Sequence, residues 1–141
     1  MRDIHQIIVH CSDTYVSMDI GVDDIRTWHV RDNGWDDVGY HHVIKRDGTV
    51  EKGREHDVIG AHARGMNTNS LGVCVVGGKG DDGKPDVNFT AAQWKALHDL
   101  VFDLKWKYGG NIIGHCNVPN SGKSCPNFNV LAWAKELGEQ K

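Results

Sequence analysis

Two histidines and one cysteine in this chain have the chemical types and positions expected of a catalytic metal site. His115 and Cys125 lie in one short loop-forming segment, GHCNVPNSGKSCP, and His10 ends an apolar run near the start of the chain. Imidazole nitrogens and thiolate sulfurs are ligands for zinc, and a catalytic zinc usually takes three protein ligands and leaves one position for water. We therefore predict one zinc ion bound by His10, His115 and Cys125. The alternative is a structural role for each, which is the commoner use of a single histidine or cysteine.

The three ligands can meet only if the segments that carry them are neighbours in one sheet. Residues 4–10 and 111–115 are typical of short strands, which places His10 and His115 at strand ends and Cys125 on the following loop. Because adjacent side chains on a strand point to opposite faces, Cys11 and Cys116 are predicted to face away from the metal. Cys74 lies inside an apolar run, so no disulfide is expected.

The rest of the chain alternates strand and helix patterns. Apolar spacing and turn residues predict helices at 22–32, 91–108 and 129–137, a hairpin of strands 38–45 and 49–52, a buried central strand at 71–76, and loops at 54–69 and 79–88. Thr90 is the predicted N-cap of the second helix, and Gly34 and Gly138 are predicted to end the first and the last. In the hairpin, Tyr40, His42 and Ile44 are expected on one face of the strand. These patterns predict a single α/β domain over residues 1–141, with a mixed central sheet flanked by about three helices and the zinc cleft at strand ends.

Composition excludes several classes of function. The formal net charge is -3 and the pI is about 6.3, so no basic surface argues for direct binding of nucleic acid. No segment reaches the roughly 20 apolar residues of a membrane span, and no export signal is recognisable, so we expect the protein to stay in the cytosol where it is made. No motif places the pair of acidic residues that glycoside hydrolysis requires.

Several motifs in the same order resemble one known family. From VHCSDT through GWDDVGYHHVIKRDGTVEKGR and GAHARGMNTNSLGVCVVGG to KSCPNF, the chain resembles the zinc N-acetylmuramoyl-L-alanine amidases related to peptidoglycan recognition proteins, in particular the amidase lysozymes of T-odd coliphages. The likeness covers nearly the whole chain. Several motifs in register are more specific than any one of them.

The resemblance also implies roles for residues around the metal. It makes Tyr40 and Lys123 the two catalytic helpers, whereas the residues alone favour a tyrosine at the edge of the core and a solvated lysine. It places His62 of GAHARG beside the cleft in contact with substrate. Arg64 and Asn67 of the same loop are weaker predictions for substrate binding, because polar loop residues usually face water. We predict that the remaining histidines singled out in the sequence are structural or exposed: His5, His29, His41, His56 and His98.

The function implied by the resemblance is that of a phage endolysin. Such an enzyme uses zinc to hydrolyse the amide bond between N-acetylmuramic acid and L-alanine in peptidoglycan, and so lyses the host. We expect a monomer that acts from the host cytoplasm after a separate protein has permeabilised the membrane. Because the T-odd lysozymes also bind and inhibit the phage RNA polymerase, the resemblance implies that polymerase as a second partner. The alternatives are a module that binds peptidoglycan without cutting it, and a regulator of the polymerase only.

Overall fold

A five-stranded sheet forms the centre of the computed structural model, which describes residues 2–139. The strands in chain order are β1 (Gln6–Cys11), β2 (Thr14–Tyr15), β3 (His42–Ile44), β4 (Val50–Lys52), β5 (Ser70–Val75), β6 (Gly78–Lys79) and β7 (Asn111–Gly114). The main sheet has the order β4-β3-β5-β1-β7, while β2 and β6 pair separately. Within the main sheet only β4 runs antiparallel to its neighbour. The predicted mixed sheet is therefore confirmed.

Three helices cover the two faces of this sheet. They are α1 (Val22–Thr27), which continues as a π-helix over Trp28–Asp32, α2 (Ala91–Tyr108) and α3 (Val130–Glu139). Residues of α2 and α3 pack on the β1 and β5 side chains of one face, and α1 packs on the other face against Val43, Cys74 and Val76. Within the described residues no helix combines the length and hydropathy needed to cross a bilayer.

Every residue of β5 is buried, as its unbroken apolar run predicts for a strand covered on both faces. The strand runs parallel to β1, with Cys74 beside His10 in the register. Parallel strands in register point their side chains to the same face, so His10 projects toward the side covered by α1 and not toward α2 and α3. The central strands thus determine which face of the sheet carries the predicted metal ligands.

Helix α2 has the predicted bounds and the predicted cap. Thr90 Oγ1 accepts from the N–H of Gln93 at 3.1 Å, and Gln93 Oε1 accepts from the N–H of Thr90 at 3.0 Å. This reciprocal pair satisfies two donors that the first turn of a helix leaves open. Gln93 is fully buried and also donates to the Val76 carbonyl at 2.8 Å, so the cap ties the helix to the sheet.

The hairpin differs from its prediction in one respect that matters for the site. Strand β3 starts at His42, so Tyr40 lies outside it and packs in the same cluster as Val43, not on the face of His42 and Ile44. The predicted facing of Tyr40 was therefore wrong. Regular pairing ends before His42: the Tyr40 carbonyl accepts from the Arg54 N–H at 3.0 Å, beyond the end of β4, and the Gly39 N–H donates to His29 Nδ1 at 2.9 Å.

The last helix also extends beyond its predicted end. Asn129 Oδ1 accepts from the N–H of Ala132 at 3.0 Å and caps the start of α3. The helix runs through Gly138 to Glu139, so the predicted stop at Gly138 was wrong. A single glycine costs a helix only about 1 kcal/mol relative to alanine, which this helix tolerates near its end. Gly34 does follow the first helix, with a φ of 71°.

A buried histidine under the central strand makes the fold sensitive to acid. The side chain of His41 is 0% exposed, its Nδ1 accepts from the Gly72 N–H at 3.0 Å, and its Nε2 lies 2.8 Å from the Val58 carbonyl. The ring is therefore neutral, with its proton on Nε2. Burial lowers the pKa of His41 to about 4, with a smaller lowering by the Arg2 guanidinium. The unfolded chain, with a histidine pKa near 6.5, binds more protons between these two values.

We expect this histidine to weaken the fold as the pH falls from about 6.5 toward 4, because a depressed pKa stabilises only the neutral form. The free energy of unfolding should drop by roughly 1–2 kcal/mol between pH 7 and pH 5 on account of His41 alone. His41→Asn keeps an acceptor for Gly72 but cannot titrate, so its urea unfolding should depend less on pH than that of the wild type. The exposed His5→Asn serves as control. Equal pH slopes for His41→Asn and the wild type would contradict the prediction.

Candidate metal centre

The ends of two neighbouring strands bring the predicted histidines together. His10 is the fifth residue of β1, and His115 directly follows β7, which pairs with β1 through Val9 and Gly114. His115 itself begins a short 3-10 helix, so the predicted strand 111–115 is one residue shorter than expected. The Nδ1 atoms of the two rings lie 3.1 Å apart. His10 and His115 are 105 positions apart in the sequence, and the fold brings their rings into contact.

Cys125 completes a group of three ligand atoms. Its Sγ accepts from the Cys11 N–H at 3.0 Å, and its carbonyl accepts from the Cys116 N–H at 2.9 Å, which anchors the loop to both strand ends. The candidate ligand atoms of His10, His115 and Cys125 all lie within 4.8 Å of one another. Around a tetrahedral zinc such atoms are about 3.3–3.5 Å apart, given bonds of about 2.0 Å to nitrogen and 2.3 Å to sulfur. Small side-chain adjustments therefore suffice to close the site on an ion.

The protonation states of the three side chains suit a cation. Burial lowers the pKa of His10 and, less strongly, that of His115, so both imidazoles are neutral at pH 7 and offer a lone pair. The pKa of Cys125 is raised, first by its hydrogen bond with the Cys11 thiol and then by burial. The sulfur therefore carries a proton in the absence of a cation, and a metal that binds here must displace it.

The other cysteines stay outside this group. All four cysteines are free, as the sequence predicted. Cys11 turns to the opposite face from His10, beside Asn127 and Gly78, although its thiol still hydrogen-bonds to Cys125. Cys116 is exposed. Cys11 faces away from His10, as strand alternation predicted, whereas Cys116 lies in the 3-10 helix that begins at His115, so strand alternation does not set its direction.

Tyr40 lies directly beside the first ligand. Its ring centroid is 5.1 Å from that of His10, and its hydroxyl hydrogen-bonds to the Cys74 thiol. Burial, with a smaller contribution from neighbouring thiols, raises the pKa of Tyr40 well above its usual range. The hydroxyl is consequently neutral at physiological pH and can act as a hydrogen-bond donor next to the metal position.

A cleft of about 960 Å³ opens in front of His115. Besides His115, its lining includes four other predicted residues: Lys123, His62, Arg64 and Asn67. The Lys123 charge contributes to the lowered pKa of His115, after burial, so the ammonium group lies close to the second ligand. Lys123 and Arg64 are exposed, as side chains that meet a ligand from solvent must be.

Two of these predicted residues make bonds within the protein that the sequence did not reveal. Asn67 Oδ1 accepts from the N–H groups of His62 and Ala63, both at 2.9 Å, which leaves its amide nitrogen for other partners. His62 is only 8% exposed, and both of its ring nitrogens have protein partners, His10 and Ser70. Direct contact of either residue with substrate stays a prediction.

Sequence reasoning missed two residues that shape the site. Trp35 lines the cleft and packs on His29 at a centroid distance of 4.6 Å; the only signal was its place in the motif GWDD. Asn127 donates to the carbonyls of Gly78 and Asp86 at 2.8 and 3.0 Å, and so anchors the chain just after Cys125. Nothing in the sequence pattern distinguished Asn127 from other loop asparagines. His29, His41 and His56 all form buried or partly buried hydrogen bonds, in line with the structural role predicted for them.

A family model and similar curated proteins point to the same family. The family model described as N-acetylmuramoyl-L-alanine amidase matches residues 1–128. The chain is 51% identical over 128 residues to the endolysin of Escherichia phage T7, covering 90% of this chain and 83% of that protein. It is 48% identical over 133 residues to the endolysin of Klebsiella phage KP32, covering 94% and 86%.

The fold comparison agrees with the sequence comparison. The N-acetylmuramoyl-L-alanine amidase endolysin LysCS from Clostridium intestinale superposes with a TM-score of 0.82 at 25% identity, covering 98% of this chain and 85% of that one. The α/β architecture predicted from sequence is the architecture of these enzymes. The match spans both strand ends, the loop with Cys125 and the cleft.

Proposed function

Because this chain belongs to the N-acetylmuramoyl-L-alanine amidase family, we propose that it hydrolyses peptidoglycan as a phage endolysin with one zinc ion bound by His10, His115 and Cys125. The bond cut is the amide between the lactyl carbonyl of muramic acid and the nitrogen of L-alanine. Water supplies the hydroxyl of the new carboxyl group and the proton of the new amine. The convergence of three ligand atoms from distant parts of the chain supports the proposal most strongly.

The donor set fits a catalytic zinc. Two neutral imidazoles and one thiolate leave a fourth tetrahedral position free, which is the pattern of a catalytic and not of a structural site. When bound, zinc would lower the pKa of a coordinated water to about 7 and polarise the substrate carbonyl. His10, at 1% exposure, holds its nitrogen away from bulk water, while His115 borders the cleft through which substrate enters.

We propose that two side chains assist at the reacting carbonyl. Tyr40 presents a neutral O–H beside His10 and can donate to oxygen as negative charge develops there. Lys123 brings a positive charge to the His115 side of the same region. We propose that these two groups stabilise the transition state and supply the proton that the departing alanine nitrogen requires.

We propose that the cleft recognises a charged peptide. Lys123 and Arg64 are exposed cationic residues of its lining, and among residues 2–139 the Asn67 amide nitrogen has no partner, so it can donate to a ligand. Stem peptides carry free carboxylates, which the two cations would attract. Trp35 and Val118 add apolar contact area on the walls. We propose that Arg64 and Asn67 bind the stem peptide; contact of His62 with the substrate stays a prediction.

Digestion of purified peptidoglycan should release new alanine amino groups without new reducing ends. Chelation with 1,10-phenanthroline should stop the release, and added zinc should restore it, because the ion supplies the activated water. The two products are measured separately, by amino-group labelling followed by acid hydrolysis and by a reducing-sugar assay. New reducing ends without amino groups would refute the amidase assignment.

The same digestion distinguishes the enzyme from a binding module. A module of the same fold that only recognises peptidoglycan would sediment with the cell walls yet release neither product, with or without zinc. The complete set of three ligand atoms favours the enzyme. A chain mutated at the ligands provides the matched control for binding without cleavage.

Binding of the phage RNA polymerase stays a prediction of the resemblance alone. No observation on the described residues points to a surface for that partner, and a pull-down with the cognate polymerase tests it. We also propose, from the resemblance alone, that the protein acts from the host cytoplasm after membrane permeabilisation and that it is a monomer.

A further inference from the structure

We propose that His62 is a positioning residue for the metal ligand His10, and that it determines which nitrogen of that ring faces the metal. His62 Nδ1 lies 2.8 Å from His10 Nε2, on the side of the ring away from His115. The inference rests on the zinc-dependent function proposed above. It assigns to His62 a part in holding the ion, which is different from contact with substrate.

The side chains of Ser70, His62 and His10 form a row of hydrogen bonds, and the Ser70 hydroxyl determines the direction of each. The Ser70 O–H donates to the Met66 carbonyl at 2.7 Å, so its oxygen is left to accept from His62 Nε2 at 3.3 Å. His62 then carries its proton on Nε2, and its bare Nδ1 accepts from the Nε2–H of His10. His10 therefore keeps its proton on Nε2 and presents the lone pair of Nδ1 toward His115 and the metal position.

The ring of His62 occupies space that two glycines leave open. A Cβ atom built at Gly72 would lie 2.5 Å from His62 Cγ, and one at Gly60 would lie 2.7 Å from His62 Cδ2. Only glycine at these two positions lets the imidazole lie against the sheet. Together with the Asn67 bond to the His62 N–H, this packing keeps the ring edge-on to His10, at an interplanar angle of 88°.

A partner of this kind has a defined effect on a metal ligand. Histidines that bind metals almost always donate their second ring N–H to a carboxylate, carbonyl or water, which fixes the tautomer and the orientation of the ring. In this protein a buried neutral imidazole takes that place, so the ligand is oriented without a negative charge beside it. Both nitrogens of His62 are used in this chain of bonds, and only its ring carbons are left to border the cleft.

The test is the zinc affinity of the purified protein, measured by competition with a chromogenic chelator. His62→Phe keeps a ring but removes the acceptor, and it should weaken zinc binding by about 10- to 100-fold. His62→Asn places Oδ1 where Nδ1 stood, so its zinc affinity should stay within about threefold of that of the wild type. This difference is well below the weakening expected for His62→Phe. The d–d absorption of the cobalt-substituted protein should change in His62→Phe and not in His62→Asn.

A second variant keeps the inference testable if His62→Phe does not fold. Ser70→Ala leaves the imidazole in place but removes the group that holds its proton on Nε2. Because this group acts on His10 only through His62, zinc binding should weaken less than the roughly 10- to 100-fold loss typical of a direct partner, but by more than about threefold. Unchanged affinity in the folded variants would overturn the inference. Equal weakening by phenylalanine and asparagine would overturn it too, since ring packing and not the hydrogen bond would then be responsible. A wild type that binds no zinc would instead refute the proposed function.

Discussion

Cys125→Ser is expected to lose zinc at neutral pH and to release no alanine amino groups from peptidoglycan. A serine hydroxyl does not ionise in this range and replaces a thiolate ligand poorly. Zinc sites with strong ligands bind with about 10–16 kcal/mol, so the loss of one ligand of three or four weakens binding on the order of 10²- to 10³-fold. The fold should persist, because serine oxygen can still accept from the Cys11 N–H that Sγ accepts at 3.0 Å.

The measurement combines metal analysis of the purified variant with the peptidoglycan digestion. Cys116→Ser is the matched control, since Cys116 opens the same loop but its side chain is exposed and lies outside the ligand group. The control should retain both zinc and turnover. Circular dichroism of the metal-free proteins checks that each variant folds. A Cys125→Ser protein with one tightly bound zinc would contradict the assignment of this residue.

Tyr40→Phe and Lys123→Ala are expected to keep zinc and lose turnover. Each removes a group that we propose acts on developing charge, and each leaves His10, His115 and Cys125 in place. Removal of one such donor typically lowers kcat by about 10²- to 10³-fold, or roughly 3–4 kcal/mol of barrier, with little effect on KM. Tyr40→Phe also loses the hydroxyl contact with the Cys74 thiol.

The two variants are compared by kcat, KM and zinc content on a soluble muropeptide. Tyr15→Phe and Lys84→Ala are suitable controls, because both side chains are exposed and neither lines the cleft. Wild-type turnover in both Tyr40→Phe and Lys123→Ala would defeat their assignment as catalytic helpers. A variant that loses zinc along with turnover would show instead that the residue supports the metal.

Local sequence patterns predicted the elements of this fold with few errors. The capped, amphipathic pattern of residues 91–108 gave α2 with its bounds, and the apolar run near Cys74 gave the buried strand β5, because both signals arise from neighbours in sequence. The errors fell where a distant segment supplied the bonds. Before His42 the backbone bonds to His29 and to Arg54, which lies beyond the end of β4, so β3 is shorter than predicted and Tyr40 packs with Val43.

The sequence by itself determined the types of the metal ligands and, through strand alternation, the faces of His10 and Cys11. Only the tertiary structure decided how those ligands are oriented. It engaged His62 with His10 and Ser70 in the interior, and it used two glycines to admit the ring. The physical reason is the sequence separation of the interacting residues, because helix and strand periodicity reflects interactions between residues only a few positions apart. The bond between His10 and His62 crosses 52 positions, and only packing of the whole sheet can bring those atoms together.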